Sequence, residues 1–127
     1  MARILIIDDS AFTRRQLKKV LASLEHEVVE ADSGKDGLEK LVAHKPDFVI
    51  SDLLMPEMDG FQFIDAVRKG DPELARTPIL VLSADVQEAS RNRTLDLGAE
   101  RFLNKPVRPD MVKQALEELA ALRKEAS

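Results

Sequence analysis

Four stretches of this chain carry residue types that together can handle a divalent cation and a phosphoryl group: Asp8-Asp9, Asp52, Ser83 and Lys105. Each lies just past a short apolar run of the kind that forms a β-strand. In an open parallel α/β sheet, ligands bind at the carboxyl ends of the strands, so residues far apart in sequence converge there. Three carboxylates gathered in one pocket repel one another and raise each other's pKa unless a cation joins them. Ligands that are all oxygen suit a hard ion, Mg²⁺ or Mn²⁺. A carboxylate in such a pocket can attack phosphorus and form an acyl phosphate, which makes Asp52 the candidate nucleophile. Ser83 can donate its hydroxyl to a phosphoryl oxygen, and Lys105 can set a point charge beside it.

Each feature taken alone also has a plainer reading. Asp9 or Ser10 could cap a helix that starts after the first apolar run. Asp52 could begin a turn, and Ser83 could cap the next helix. A cis peptide before Pro106 would aim Lys105 inward, but such bonds are uncommon in general. The signal is the order of the four stretches along successive strand ends.

The elements that must position them are legible from periodicity. Ile4-Leu5-Ile6-Ile7, Val28-Val29, Phe48-Val49-Ile50, Ile79-Leu80-Val81-Leu82 and Arg101-Phe102-Leu103 are short and nearly continuous. That pattern predicts parallel strands buried on both faces. Between them, Leu17, Val20, Leu21 and Leu24 follow helical spacing, as do Leu38, Leu41 and Val42, and Phe61, Ile64 and Val67. Val86, Ala89, Leu95 and Leu97 form a patchier fourth helix. Met111, Val112, Ala115, Leu116, Leu119 and Leu122 form the clearest amphipathic stretch. Ser33 is placed to cap the second helix, Gly98 to end the fourth and Pro109 to open the fifth. Five strands alternating with five helices define an α/β layer fold with right-handed crossovers.

Length and charge narrow the classes. A chain of 127 residues is expected to form one domain, residues 1–127, large enough for a core without staples. It has no cysteine, which excludes disulfides and thiolate metal sites. No signal-peptide pattern opens it and no apolar run reaches the ~20 residues of a membrane helix. The expectation is a cytoplasmic protein with no membrane contact. The net charge is −4, from 19 Lys+Arg against 23 Asp+Glu, with no Trp or Tyr. That argues against direct DNA binding, which needs a basic face. Arg14-Arg15 and Lys18-Lys19 fit a solvated helix face or a docking face for a kinase. His26 and His44 have no partner spacing for a triad or a metal motif and fit the surface.

With Asp8-Asp9-Ser10, the Asp52-Leu53-Leu54-Met55-Pro56 to Asp59-Gly60 segment, Ser83-Ala84, Gly98-Ala99 and Lys105-Pro106 in this order, essentially the whole chain resembles the CheY-like receiver domain of two-component response regulators. The resemblance implies a flavodoxin-like doubly wound (βα)5 sandwich with a five-stranded parallel sheet in the order 2-1-3-4-5, the order for which flavodoxin and CheY are the standard examples. It also implies that Asp52 is the phosphoacceptor. Asp9, Asp52 and the Leu54 carbonyl would be direct Mg²⁺ ligands, with Asp8 acting through water. Ser83 and Lys105 would draw in toward the phosphoryl group, and Phe102 would occupy the position of the switch aromatic. The implied donor is a histidine kinase phosphohistidine, and the output an unknown protein or phosphatase. The protein is expected to act as a monomer, with dimerisation on phosphorylation as the alternative, and to be no enzyme beyond self-dephosphorylation.

Some positions depart from the family's commonest pattern. Phe102 lacks a phenol oxygen, Ser83 stands for a threonine, and Leu54 cannot orient water. The opening Asp8-Asp9-Ser10-Ala11-Phe12 looks like chemotaxis-type members. Three alternatives stay open: a Mg²⁺-dependent aspartyl phosphohydrolase, a flavodoxin-like cofactor binder, and a receiver that signals without phosphate. The hydrolase would place an acid where Leu54 stands. The cofactor binder would need a phosphate-cradling loop where Asp8-Asp9 would repel the ligand.

Overall fold

The apolar runs pair into one sheet because each can hydrogen-bond a neighbour along its whole length. In the computed structural model, which describes residues 2–126, these are β1 (Arg3–Ile7), β2 (Glu27–Ala31), β3 (Phe48–Ser51), β4 (Ile79–Ser83) and β5 (Arg101–Asn104). All pairings are parallel, in the order β2-β1-β3-β4-β5. The helices between them are α1 (Ala11–Ser23), α2 (Gly34–His44), α3 (Gly60–Lys69), α4 (Glu88–Leu97) and α5 (Pro109–Ala126), with a 3-10 turn at Leu74–Arg76. The architecture is the flavodoxin-like one the resemblance implied.

Period-two alternation divides the strand side chains between two cores. Leu5, Ile7, Val49 and Val81 pack with Leu41 of α2 and with Phe63, Ile64 and Val67 of α3. Ile4, Ile6, Ile50, Leu80 and Leu82 pack with Leu17, Val20 and Leu21 of α1 and Val112, Ala115, Leu116 and Leu119 of α5. Each fully buried Leu, Ile or Phe contributes about 1.5–3 kcal/mol of apolar burial. No helix among the described residues is long and apolar enough to cross a membrane.

Two-sided burial holds only for the inner strands. In β2 only Ala31 is buried, and in β5 only Phe102. Both are edge strands with a neighbour on one side, so their charged residues reach water. The fourth helix also differs from the sequence pattern. Val86 precedes α4 and is 82% exposed, and only Thr94 of α4 is buried. Its apolar spacing is patchy because little of it faces the core. His26, expected at the surface, is half-buried and accepts a hydrogen bond on Nδ1 from the Ala2 amide at 3.1 Å.

Helix starts are set by local hydrogen bonds. Ser10 caps α1 through the Thr13 amide, Ser33 caps α2 through the Asp36 amide, and Asp59 and Gln62 form a reciprocal capping box on α3. Such caps contribute about 1 kcal/mol each. Gly98 ends α4 at φ +112, where any side chain would be strained. The register then levels the strand ends. Ile7 lies opposite Ser51, and Ser83 opposite Asn104. Asp8, Asp52, Ala84 and Lys105 therefore leave the sheet along one edge.

Candidate functional site

At that carboxyl edge, β1 and β3 deliver their carboxylates to one point. Asp8, Asp9 and Asp52 each present an oxygen, all within 4.8 Å of one another. Asp8 and Asp52 are buried, at 2% and 5% exposure, while Asp9 faces solvent. Lys105, at the end of β5, reaches across with Nζ 2.9 Å from Asp8 Oδ2 and 3.1 Å from Asp52 Oδ2. The Lys105-Pro106 peptide is cis.

The backbone holds each group in place. The Ser10 amide donates to Asp8 Oδ1 at 2.8 Å, and the Asp8 amide donates to the Ala31 carbonyl at 3.2 Å. Asp52 Oδ1 accepts from the Leu53 amide at 2.7 Å and more weakly from the Leu54 amide at 3.4 Å. Gly60 lets α3 begin directly beneath this loop. A Cβ there would lie 2.7 Å from Leu53 Cα and would also strike the Asp52 carbonyl. Leu54, two residues past Asp52, is 60% exposed at the mouth of the pocket.

One lysine serves two buried carboxylates, and the electrostatics reflect that ratio. Burial pushes the Asp8 carboxyl above the ordinary 3.8, and the neighbouring Asp52 adds to the rise. The Lys105 hydrogen bond opposes the shift without cancelling it. Burial pulls Lys105 the other way, but hydrogen bonds to Asp8 and Asp52 outweigh it and leave the ammonium above 10.5. The lysine has two partners, whereas Asp8 has a half share of one. Negative charge is therefore in surplus, and a divalent cation would relieve it. Three oxygen donors, two of them fixed by backbone amides, suit a hard cation.

Ser83 is fully buried at the end of β4, and its hydroxyl accepts from the Asp85 amide at 3.2 Å. It does not cap α4, whose N-cap is Gln87 without a side-chain bond. Asp85 turns its carboxylate to the Ser90 hydroxyl at 2.6 Å and the Gln87 amide at 2.9 Å, and these bonds hold its pKa below 3.8. Phe102 is 8% exposed and packs on the α3 side of the sheet. Beside it opens a recess of about 290 Å³ lined also by Val86, Gln87, Arg91 and Asn104. The structure thus brings Asp8, Asp9, Asp52 and Lys105 together directly. Ser83 and Phe102 belong to the neighbouring strand ends.

Sequence reasoning missed two residues here. Asn104 donates from Nδ2 to the Asp85 carbonyl at 2.8 Å and to the Ser83 carbonyl at 3.3 Å, tying the β4–α4 loop to β5. Its position one before Lys105 was the only signal. The charge pattern of α1 places Arg14 with Arg15, Lys18 and Lys19 on a solvated or kinase-docking face. Arg15, Lys18 and Lys19 are exposed, but Arg14 is only 19% exposed in its side chain and turns toward Asp8 and Glu30.

A doubly wound α/β fold with an acidic pocket at the carboxyl edge of its sheet, able to hold a cation, belongs to the class of sites suited to phosphoryl chemistry. Residues 4–117 match the profile of the response regulator receiver domain, and the chain belongs to that family. It is 39% identical over 119 residues to the chemotaxis protein CheY of Thermotoga maritima, covering 93% of this chain and 97% of that protein. It is 38% identical over 125 residues to the protein-glutamate methylesterase/protein-glutamine glutaminase 3 of Geobacter sulfurreducens, of which it spans only 31%. The solved structure of chemotaxis protein CheY4 of Vibrio cholerae superposes with a TM-score of 0.87 at 33% identity, covering 94% of this chain and 98% of that one. The acidic pocket fits the phosphoacceptor chemistry of this family.

Proposed function

We propose that Asp52 receives a phosphoryl group from the phosphohistidine of a histidine kinase, and that the resulting charge switches a protein-binding surface. The observation that carries this is the convergence of Asp8, Asp9 and Asp52 within 4.8 Å with Lys105 bridging the two buried carboxylates. An Asp52 carboxylate oxygen attacks phosphorus, the N–P bond of the donor breaks, and its electron pair returns to the imidazole. Asp52 Oδ1 is already held by the Leu53 amide. That orientation lowers the entropy cost of attack through the other oxygen. Lys105 supplies a charge to the incoming phosphoryl oxygens.

Asp9, Asp52 and the Leu54 carbonyl would hold Mg²⁺ directly, with Asp8 acting through water. Bound there, the ion neutralises carboxylate and phosphoryl charge together. Ser83 would donate its hydroxyl to a phosphoryl oxygen. Its shift, and that of Phe102 beside the β4–α4 loop, would rebalance two arrangements of this edge. The module itself is no enzyme beyond self-dephosphorylation, acts in the cytoplasm as a single domain, and belongs to the chemotaxis type. Exposed, apolar Leu54 cannot orient an attacking water, so self-hydrolysis is slow to moderate. Leu54→Asn is expected to speed dephosphorylation, and an equal or slower rate would count against that role.

The test of the main reading is intact mass after incubation with acetyl phosphate and Mg²⁺. The expected result is one added phosphoryl group that needs both Mg²⁺ and Asp52. An adduct that survives in Asp52→Asn, or forms equally well in chelator, would reject it.

A further inference from the structure

We infer that Arg14 is a positioning residue for the cation: from α1 it clamps the Asp8–Asp9 peptide and so aims the Asp9 carboxylate. This rests on the reading of the pocket as a Mg²⁺ and phosphoryl site.

The argument starts from an asymmetry between the two adjacent carboxylates. Asp8 is held at its amide by the Ala31 carbonyl, at Oδ1 by the Ser10 amide and at Oδ2 by Lys105. Asp9 is exposed, and among the described residues its side chain has no hydrogen bond or ion pair. The one restraint on its direction among the described residues is therefore the backbone, which sets the Cα–Cβ bond from which the carboxylate swings. The Asp8 carbonyl belongs to the same peptide plane as the Asp9 amide. Arg14 Nη1 donates to that carbonyl, so one guanidinium fixes the tilt of the plane from which Asp9 projects.

Arg14 can do this because it is itself held from behind. Its Nε lies 3.3 Å from Glu30 Oε1 on β2, and Lys18 Nζ lies 3.1 Å from the other Glu30 oxygen. Lys40 Nζ donates to the Glu30 carbonyl at 3.0 Å. The planar fork spans β2 and the β1–α1 loop, which a lysine's single ammonium cannot do at both points. The pairing with Glu30 also offsets the guanidinium charge, so the clamp adds little repulsion toward a cation.

The chain has no Trp or Tyr, so Mg²⁺ binding is best read by titration calorimetry on wild type, Arg14→Met, Arg14→Lys and Glu30→Gln. Amide hydrogen exchange at Asp8 and Ser10, whose amides donate to the Ala31 carbonyl and to Asp8 Oδ1, measured without metal, gives a second readout. Arg14→Met is expected to weaken Mg²⁺ binding about tenfold, the scale for removing a group that orients a metal ligand, and to speed exchange at Asp8 and Ser10. Arg14→Lys should recover part of the loss, and Glu30→Gln should fall between it and wild type. With acetyl phosphate, the variants should need more Mg²⁺ to a greater degree than they lose limiting rate. A role confined to stability would shift the urea midpoint and leave Mg²⁺ affinity unchanged, which overturns the inference. If Arg14→Met does not fold, unchanged affinity in both Arg14→Lys and Glu30→Gln overturns it equally. Failure of the wild type to bind Mg²⁺ would instead reject the reading of the site, and the inference with it.

Discussion

The two edges of the sheet bury charge in opposite ways. At the amino edge, Arg68 of α3 donates to the Gly98, Ala75 and Thr77 carbonyls and forks onto Glu100 at 2.8 and 3.0 Å. Glu100 also takes the Ile79 amide at 2.7 Å. Nearby, Asp47 accepts from the Arg3 amide and from Arg123. At the carboxyl edge, two of three clustered carboxylates share Lys105, and the third has no partner among the described residues. Among the described residues, every buried polar side-chain atom is hydrogen-bonded, so the difference lies in charge balance. One edge is saturated and ties elements together. The other keeps a surplus that only a ligand can neutralise.

The largest effect is expected where saturation is broken. Arg68→Met should cost about 3 kcal/mol in urea unfolding, because it strands a partly buried Glu100 and frees three carbonyls. A loss under ~1 kcal/mol would show that the amino edge is no more than solvated charge. Arg68→Lys should recover little, since one ammonium cannot reach all these acceptors.

Next comes the surplus itself. Mg²⁺ at about 100 times its dissociation constant should stabilise the chain by about 2.7 kcal/mol. Chelation should reverse the gain, and Asp9→Asn should largely abolish it, as followed by thermal unfolding. An equal gain in Asp9→Asn would move the cation elsewhere.

Asp8→Asn should raise the stability of the metal-free chain, because burial and the neighbouring Asp52 disfavour the charged form of Asp8, while impairing Mg²⁺ binding. The pH dependence carries the same sign. Asp8 and Glu100 are both raised by burial, so the folded chain holds their protons more tightly than the unfolded one. Metal-free stability should therefore fall as pH rises from the ordinary values, 3.8 and 4.5, through the higher folded ones, and then level off. Asp8→Asn should flatten only its own part of that slope, leaving Glu100's. A slope unchanged in Asp8→Asn would contradict the surplus. Lys105, also raised, adds stability that is full below 10.5 and is lost as pH climbs through its folded value.

The smallest effect is the control for both edges. Lys69 and Asp65 pair at 3.1 Å on the open face of α3. Lys69→Ala should change stability by no more than about 0.5 kcal/mol. A larger change would mean that exposed pairs carry the weight assigned here to buried ones.

Much of this was legible in the chain. Continuous apolar runs such as Ile4–Ile7 and Ile79–Leu82 mark inner strands, because only strands covered on both faces can dispense with polar alternation. Asp52, Ser83 and Lys105 announced themselves by following such runs, and Ser33 and Gly98 by the chemistry of helix ends. These are local rules with a period or a fixed offset, and the order of the motifs sufficed to recognise the family. Arg14, Arg68 and Asn104 were not legible, because nothing in a side chain's identity says which distant carbonyl it will meet. Nor could the adjacent pair Asp8-Asp9 reveal that one carboxylate is buried against Lys105 and the other left in water. That division depends on which way the chain turns as it leaves β1, and on α1, β2 and β5 arriving from elsewhere in the sequence to pack around it. The sequence by itself determined which groups stand at the edge of the sheet, and the tertiary structure decided which of them are paired and which remain free to take a ligand.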